Sequence, residues 1–521
     1  MKLTPLAASA ALAISAVFAL PLSTAIAATA HYEAESSPAV CTGTIDTNWP
    51  GYSGAGFCNA DNAVGAHAQF TVTSATAGSA TVAVRFANGG TAVRAADVLV
   101  NGTKVQSVSF EATGAWSTWA SKTLTVSLPA GSSTIRLNPT TSAGLPNIDY
   151  LDATTGDAPS ANALYVAPNG TDGAAGTISA PTTLTSAITR VTAGGTIYLR
   201  GGTYNYSQTV TIATGNNGTS SARKKLTAYA SETPVLNFSA MTEDPANRGL
   251  ALNGSYWHVR GIVVQRAGDN GIFVGGSNNI IERTVTRFNR DTGLQLSRTL
   301  SSTPRDQWPS NNLILSSESH DNADSDGEDA DGFAAKLTSG PENVFRYAVS
   351  HNNIDDGWDL YTKTDTGPIG VVTIEDSLSY NNGTLTDGSQ AGNGDRNGYK
   401  LGGDDIAVDH VVRRSIAYHN GKHGFTYNSN PGHLTVSDNV SVDNTQRNFS
   451  FDAGTSVYRN NTSCRSGSGS NDRTVGDVDG SNQFWSGTNG PRCATYTGAL
   501  GWSFAADGHL VVTFGGKRAT P

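Results

Sequence analysis

The chain is poor in charge. Lysine and arginine number 34, aspartate and glutamate 43, and together they make up 15% of 521 residues, for a net charge of −9. No basic run occurs, so nucleic acid is not expected as a partner. An acidic protein can still bind an acidic polymer where a metal and a few local cations reverse the sign. Beyond the N-terminus no apolar stretch approaches a membrane span, and no membrane contact is expected. With 58 glycines and abundant Asn, Ser and Thr, the composition suits a turn-rich β protein better than a helical one. Cysteines number only four. Proximity favours pairing Cys41 with Cys58 and Cys464 with Cys493, because the N-terminus predicts export to an oxidising compartment. There, Lys2, an apolar Ala/Leu-rich stretch and Ala25-Ile26-Ala27 read as a secretory signal over residues 1–27. The mature protein is expected to be secreted, extracellular and monomeric.

A Gly-apolar string repeats through the second half of the chain. It occurs at Gly249-Leu250, Gly271-Ile272, Gly293-Leu294, Gly332-Phe333, Gly357-Trp358, Gly398-Tyr399 and Gly424-Phe425, and as Asn448-Phe449. By subtraction the spacings are 22, 22, 39, 25, 41, 26 and 24 residues, a solenoid signature. An Asn stands four residues before the anchor at Asn289, Asn353, Asn420 and Asn444. The gap widens to 10 from Asn322 to Gly332 and to 16 from Asn382 to Gly398, so extra residues enter the turn there. After each anchor, Ile272, Leu294, Phe333, Trp358, Tyr399, Phe425 and Phe449 form one predicted inward column. Val274, Leu296, Ala335, Leu360, Leu401, Tyr427 and Phe451 form a second. The residues between them, including Asp359 and Lys400, then point out. In a parallel β-helix such columns stack at about 4.8 Å, which places Asp359 and Lys400 on adjacent rungs.

This register gathers the chemistry. Asp331, Asp355, Asp356 and Asp359 would repel one another unless a cation cancels their charge. All offer oxygen and no Cys or His accompanies them, which suits Ca²⁺ with its 6–8 oxygen ligands. Lys400 faces out beside Gly402-Gly403, and a neutral lysine can abstract a proton. A bound cation should lower its pKa. Lys336 and Lys363 are rival bases, and Lys336 is expected to touch substrate. Solvated turn aspartates and a surface lysine paired with Asp359 are the structural alternative. Together the parts imply β-elimination on a uronic acid polymer. A β-helical glycoside hydrolase would instead need an acid–base carboxylate pair and leaves Lys400 without a role; a non-catalytic surface binder needs neither.

Residues 31–153 read as a separate β-sandwich of short alternating runs with Gly-rich turns. The segment opens on Tyr32-Glu33-Ala34-Glu35 and closes on Asn147-Ile148-Asp149-Tyr150. Residues 154–162 read as a linker and 163–521 as the solenoid. A short helix with Leu184, Ala187, Ile188 and Val191 on one face is expected to cap the first coil. The tail, with Phe484-Trp485 and Leu510-Val511-Val512, is expected to fold back over the last.

The strings Asp331-Gly-Phe-Ala-Ala-Lys336, Asp355-Asp-Gly-Trp-Asp-Leu360 and Asn397-Gly-Tyr-Lys-Leu-Gly-Gly403 resemble polysaccharide lyase family 9, the β-helical pectate lyases. The resemblance implies an all-β chain whose catalytic domain is a right-handed parallel β-helix. It implies catalytic Ca²⁺ on Asp331, Asp355, Asp356 and Asp359, Lys400 as base, and a pectic polysaccharide, polygalacturonate or rhamnogalacturonan, as substrate. The framing of residues 31–153 resembles family 35 carbohydrate-binding modules. That implies a structural Ca²⁺ on Glu33, Glu35 and Asp149 and sugar contacts from Trp116 and Asn147, with Asn88 a further candidate; the bland alternative makes Trp116 or Trp119 a core residue.

Overall fold

A computed structural model of the chain describes residues 29–519, apart from 75–77, 130, 156–161 and 391. The expected signal segment and most of the expected linker lie outside the described residues. The chain divides into two compact units between Pro159 and Ser160.

The first unit is a β-sandwich of two antiparallel sheets. One sheet is built around Asn147–Thr155, which pairs with Thr29–Glu33, Phe57–Ala60 and Gly78–Ala87. The other is centred on Gly131–Pro139, paired with Ala68–Ser74 and Arg94–Val100. The strand Ala68–Ser74 alternates buried positions with half-buried or exposed ones, as a strand with one core face must. Cys41 is bonded to Cys58.

The second unit is a parallel β-helix of three sheets. In the third sheet the strands that follow the repeat's anchors sit where the repeat places them. Ile272 pairs with Leu294, Leu294 with Phe333, Phe333 with Trp358, Trp358 with Tyr399, Tyr399 with Phe425 and Phe425 with Phe449. This column is wholly buried. Its rings stack: Trp358 on Tyr399 at 4.8 Å, Tyr399 on Phe425 at 4.6 Å, Phe425 on Phe449 at 5.1 Å. The Tyr399 hydroxyl donates to the Ile416 carbonyl at 3.1 Å, so a phenol sits in the lumen without an orphan polar atom. The anchors are glycine because the next coil lies against them. A Cβ on Gly357 would fall 2.1 Å from Ser379 Oγ and 2.5 Å from the Gly398 carbonyl.

The asparagine column is a buried hydrogen-bonded ladder. Each side-chain amide donates to the next carbonyl oxygen, from Asn289 to Asn322 (2.9 Å), Asn353 (2.8 Å), Asn382 (2.9 Å), Asn420 (3.0 Å) and Asn444 (2.9 Å). Each oxygen also accepts a backbone amide of the preceding coil, as Asn353 Oδ1 does from Asn322. The turn's buried groups are thereby paired within the protein, and the extra residues before Gly332 and Gly398 enter between ladder and anchor.

Leu184–Arg190 forms a helix whose N-cap Thr183 accepts from the Ser186 amide. Leu184, Ala187, Ile188 and Val191 join the lumen core with Ile197 and Leu199. The C-terminal expectation needs correction. Phe484 does pack on the last rungs, edge-on to Phe449 at 5.1 Å. Leu510–Phe514 does not cap the end: with Leu500–Phe504 and Lys517–Ala519 it makes an antiparallel meander along the flank of the second sheet. That sheet inverts the usual pattern, with Ser350 and Ser379 between residues of the opposite face. Val349, Leu378, Ile416 and Val440 cluster instead with Val512 and Phe514. The meander covers this apolar face, and Ser316 Oγ and Trp502 Nε1 fasten it through Gly508 O and the Tyr380 hydroxyl. Cys464 is bonded to Cys493.

Replacing Asn353 by Ala removes one ladder step and leaves the Asn322 amide and Asn382 oxygen without these partners. A buried group so orphaned costs about 1–3 kcal/mol. Thermal denaturation followed by circular dichroism should show a lower midpoint for the β-helix transition; an unchanged midpoint would mean the ladder contributes nothing net.

Candidate functional site

Short strands of the third sheet present the site. Trp358–Asp359 and Tyr399–Lys400 are neighbours, with Asp359 directly opposite Lys400. The Trp358 and Tyr399 side chains are locked in the lumen, so Asp359 and Lys400 must face out. Asp331, Asp355 and Asp356 stand in the turns entering their strands. Carboxylate oxygens of these three lie within 4.8 Å of one another, and all three residues are buried.

Each acid is oriented by backbone. The Asp356 amide donates to Asp331 Oδ1 at 3.3 Å. Asp355 Oδ1 accepts the amides of Asp395 and Arg396. Asp356 Oδ1 accepts from the Asn397 amide at 2.5 Å and from Asn397 Nδ2 at 3.0 Å. The other oxygen, Asp356 Oδ2, is buried and accepts no hydrogen bond. Burial pushes the carboxyls of Asp331 and Asp355 well above the usual range and Asp356 up to about 6, and their mutual repulsion adds to it. Three crowded acids that resist ionising together, one with an oxygen that accepts no hydrogen bond, fit a hard, oxygen-seeking metal ion.

Asp359 stands slightly apart from that triad. Its Oδ1 accepts the Tyr361 amide at 2.8 Å, and its Oδ2 lies 3.6 Å from Lys400 Nζ and 3.7 Å from Lys336 Nζ. Lys400 Nζ is 3.2 Å from Asp356 Oδ2 and 3.1 Å from Asp395 Oδ2. Burial alone would lower its pKa, but Asp359, Asp356, Asp355 and Asp331 outweigh burial and hold the ammonium well above the ordinary lysine range. The fall expected on sequence grounds therefore requires a cation on the acids. Gly402 and Gly403 do not clear room for Lys400. A Cβ on Gly403 would strike the Tyr361 ring at 2.2 Å, and one on Gly402 would strike Asn430 at 2.3 Å. Tyr361 in turn floors the site, its ring centroid 5.5 Å from Lys400 Nζ.

The rival lysines separate. Lys363 is exposed on the following loop. Lys336, expected to meet substrate, is buried like Lys400, with Nζ 2.8 Å from Asp331 Oδ2. Asp395 was not legible as a site residue. It lies in the insertion before Asn397 and bridges Lys400 to Lys422 Nζ, the latter at 2.5 Å; the only signal was the 16-residue gap that brings the insertion to this rim.

In the β-sandwich, Glu33, Glu35 and Asp149 surround one turn. The Ser53 amide donates to Asp149 Oδ1 at 2.9 Å, Ser53 Oγ to Glu33 Oε1 at 2.6 Å and the Ala55 amide to Glu35 Oε1 at 2.7 Å. Glu33 Oε2 and Glu35 Oε2 are buried without hydrogen-bond partners, and burial lifts Asp149 to about 6. Trp119 is tied down, its indole donating to the Pro50 carbonyl and its ring edge-on to Phe57. Trp116 is half-buried, with the Arg94 guanidinium 5.1 Å from its ring. Asn147 is nearly buried at 4% exposure. Asn88 is fully buried and spends its amide on the Ala92 and Phe110 carbonyls, so it frames the loop and is not available to a sugar.

Comparison with known proteins accords with this geometry. Residues 164–463 match the family model described as Pel9A-like, right handed beta helix region, and residues 37–155 match that of carbohydrate binding module family 6. The chain is 55% identical over 323 residues to a protein named pectate lyase L from Paenibacillus polymyxa, covering 62% of this chain and 72% of that one. The crystal structure of pectate lyase Pel9A is 32% identical, with a TM-score of 0.55, over 61% of this chain and 79% of that one. A family 35 carbohydrate-binding module from Cellvibrio japonicus is 38% identical over 25% of this chain and 94% of its own, with a TM-score of 0.24. The rungs that carry the acids and Lys400 fall inside the matched β-helix, and the chain belongs to the Pel9A-like right-handed β-helix family: it is a polysaccharide lyase with an N-terminal carbohydrate-binding module.

Proposed function

We propose that the protein is a secreted, calcium-dependent pectate lyase that cleaves polygalacturonate by β-elimination, with Lys400 as the base. The observation that carries this is the position of Lys400 Nζ, ion-paired at 3.2 Å with Asp356 Oδ2 at the rim of a buried acid triad. Asp331, Asp355 and Asp356, with Asp359 beside them, would hold the ion. Calcium, when bound, supplies positive charge that engages the C6 carboxylate and offsets negative charge developing at C5.

The chain's own groups do the rest. The amides of 395–397 fix two of the acids before substrate arrives, so little reorganisation is needed during reaction. Neutral Lys400 accepts the C5 proton. The C5–H electron pair becomes the C4–C5 double bond, and the bond to the C4 oxygen breaks with its electrons on oxygen, which takes a proton from solvent. The Trp116 surface of the N-terminal module is suited to stack on a pyranose and hold the enzyme on pectic polymer. Export rests on the residue 1–27 pattern.

Three measurements test this. Exhaustive chelation should abolish the rise in ultraviolet absorbance that the new double bond gives, and Ca²⁺ should restore it better than Mg²⁺, which tolerates an irregular carboxylate shell poorly. Full activity in protein shown to be metal-free would sink the metal role.

Lys400→Ala should lower kcat by at least about 10²-fold, the low end for losing a general base, with calcium affinity little weakened. Lys400→Arg should not rescue, because the guanidinium stays protonated. The acids favour the charged lysine and only the neutral form works, so the wild-type rate should rise with pH on the alkaline side of neutrality. A flat profile there, or normal turnover of Lys400→Ala, removes Lys400 as the base.

Trp116→Ala should weaken retention on insoluble pectic material and leave kcat on soluble polygalacturonate unchanged. Equal retention would move the sugar surface elsewhere on the module.

A further inference from the structure

Lys336 is engaged by the acids of the site. Its side chain is 8% exposed, and its ammonium meets Asp331 Oδ2 at 2.8 Å, the Asp329 carbonyl at 3.3 Å and Asp359 Oδ2 at 3.7 Å. The exposed Asp329 carboxylate adds a fourth contact at 3.8 Å, so the ammonium is held by acidic and carbonyl oxygens of the site. Asp331 Oδ2 has one other donor, Thr292 Oγ1 at 3.1 Å. Asp331, fully buried, is therefore tied from one side by a lysine and a threonine, while its Oδ1 is tied by the Asp356 amide.

We infer that Lys336 is a positioning residue: a resident cation that holds Asp331 and Asp359 in their ligand geometry and competes with the metal for Asp331 Oδ2. This rests on the metal-site reading given above. Without some positive charge, Asp331 would be an uncompensated buried carboxylate facing Asp355 and Asp356, and the turn could keep it only by protonating it or letting it swing away. With Lys336 in place the acids remain assembled between catalytic cycles. The same charge, a few ångströms from the ion, opposes its binding. The trade sets affinity below what the acids alone would give and keeps release possible. A divalent ion seated at Asp331 Oδ2 must share that oxygen with Nζ or push it toward Asp359 and the Asp329 carbonyl.

The test uses the full chain stripped of metal, with Lys336→Met, Lys336→Gln and Lys336→Arg, calcium titration calorimetry and melting in EDTA. Lys336→Met should bind Ca²⁺ at least about tenfold more tightly than wild type, as expected for removing a nearby like charge. It should melt lower in EDTA, with the gap closing at saturating Ca²⁺. Lys336→Gln should move the same way if the Met variant does not fold, and Lys336→Arg should stay near wild type. A purely structural lysine would lower melting without tightening calcium. Equal or weaker calcium binding by both neutral variants, where wild type does bind, overturns the inference and leaves the metal site standing. No calcium binding by wild type overturns the metal site itself, and the competition with it.

Discussion

The rung register of the third parallel sheet is the constraint on which the site depends. Asp359 and Lys400 are 41 residues apart in the chain, yet they are direct neighbours because Trp358 pairs with Tyr399. A slip of one residue would turn both into the lumen and bring the rings of Trp358 and Tyr399 to the surface. The slip is opposed from two sides. Stacked rings fill the lumen at 4.6–5.1 Å, and the asparagine ladder pins each turn to the next. Glycine at the anchors permits the close approach that both require.

With the register held, electrostatics is the term that the protein's own groups leave open. Asp331, Asp355, Asp356 and Asp359 sit with Lys336 and Lys400 at almost no exposure. Desolvating so many charges is costly, and two lysines cannot neutralise four aspartates. Asp395 adds a fifth carboxylate against Lys400. A divalent ion is the simplest way to complete the balance, and it would also release Lys400 from the pull that keeps it protonated. Metal binding and activation of the base are thus one electrostatic event on this reading.

The C-terminal meander shows the same economy of burial at larger scale. A solenoid sheet whose outer face carries Val349, Leu378, Ile416 and Val440 cannot be left to water. Residues 500–519 return along that flank and not over the open end, which Phe484 already closes.

The sequence alone determined the β-helix, its lumen columns, the asparagine ladder and the adjacency of Asp359 and Lys400, because parallel rungs convert a linear repeat into spatial columns. It also marked where extra residues enter before Asp331 and Asn397. The tertiary structure alone decided what those residues do. Asp395 reaches Lys400 through an insertion with no repeat to place it, and Lys336 turns onto Asp331 because the nearest buried charge draws it, a preference that strand alternation does not encode. The roles of Gly402 and Gly403, the burial of Asn88 and the path of the tail were likewise settled by packing between segments distant in sequence, where the repeat has no period to read.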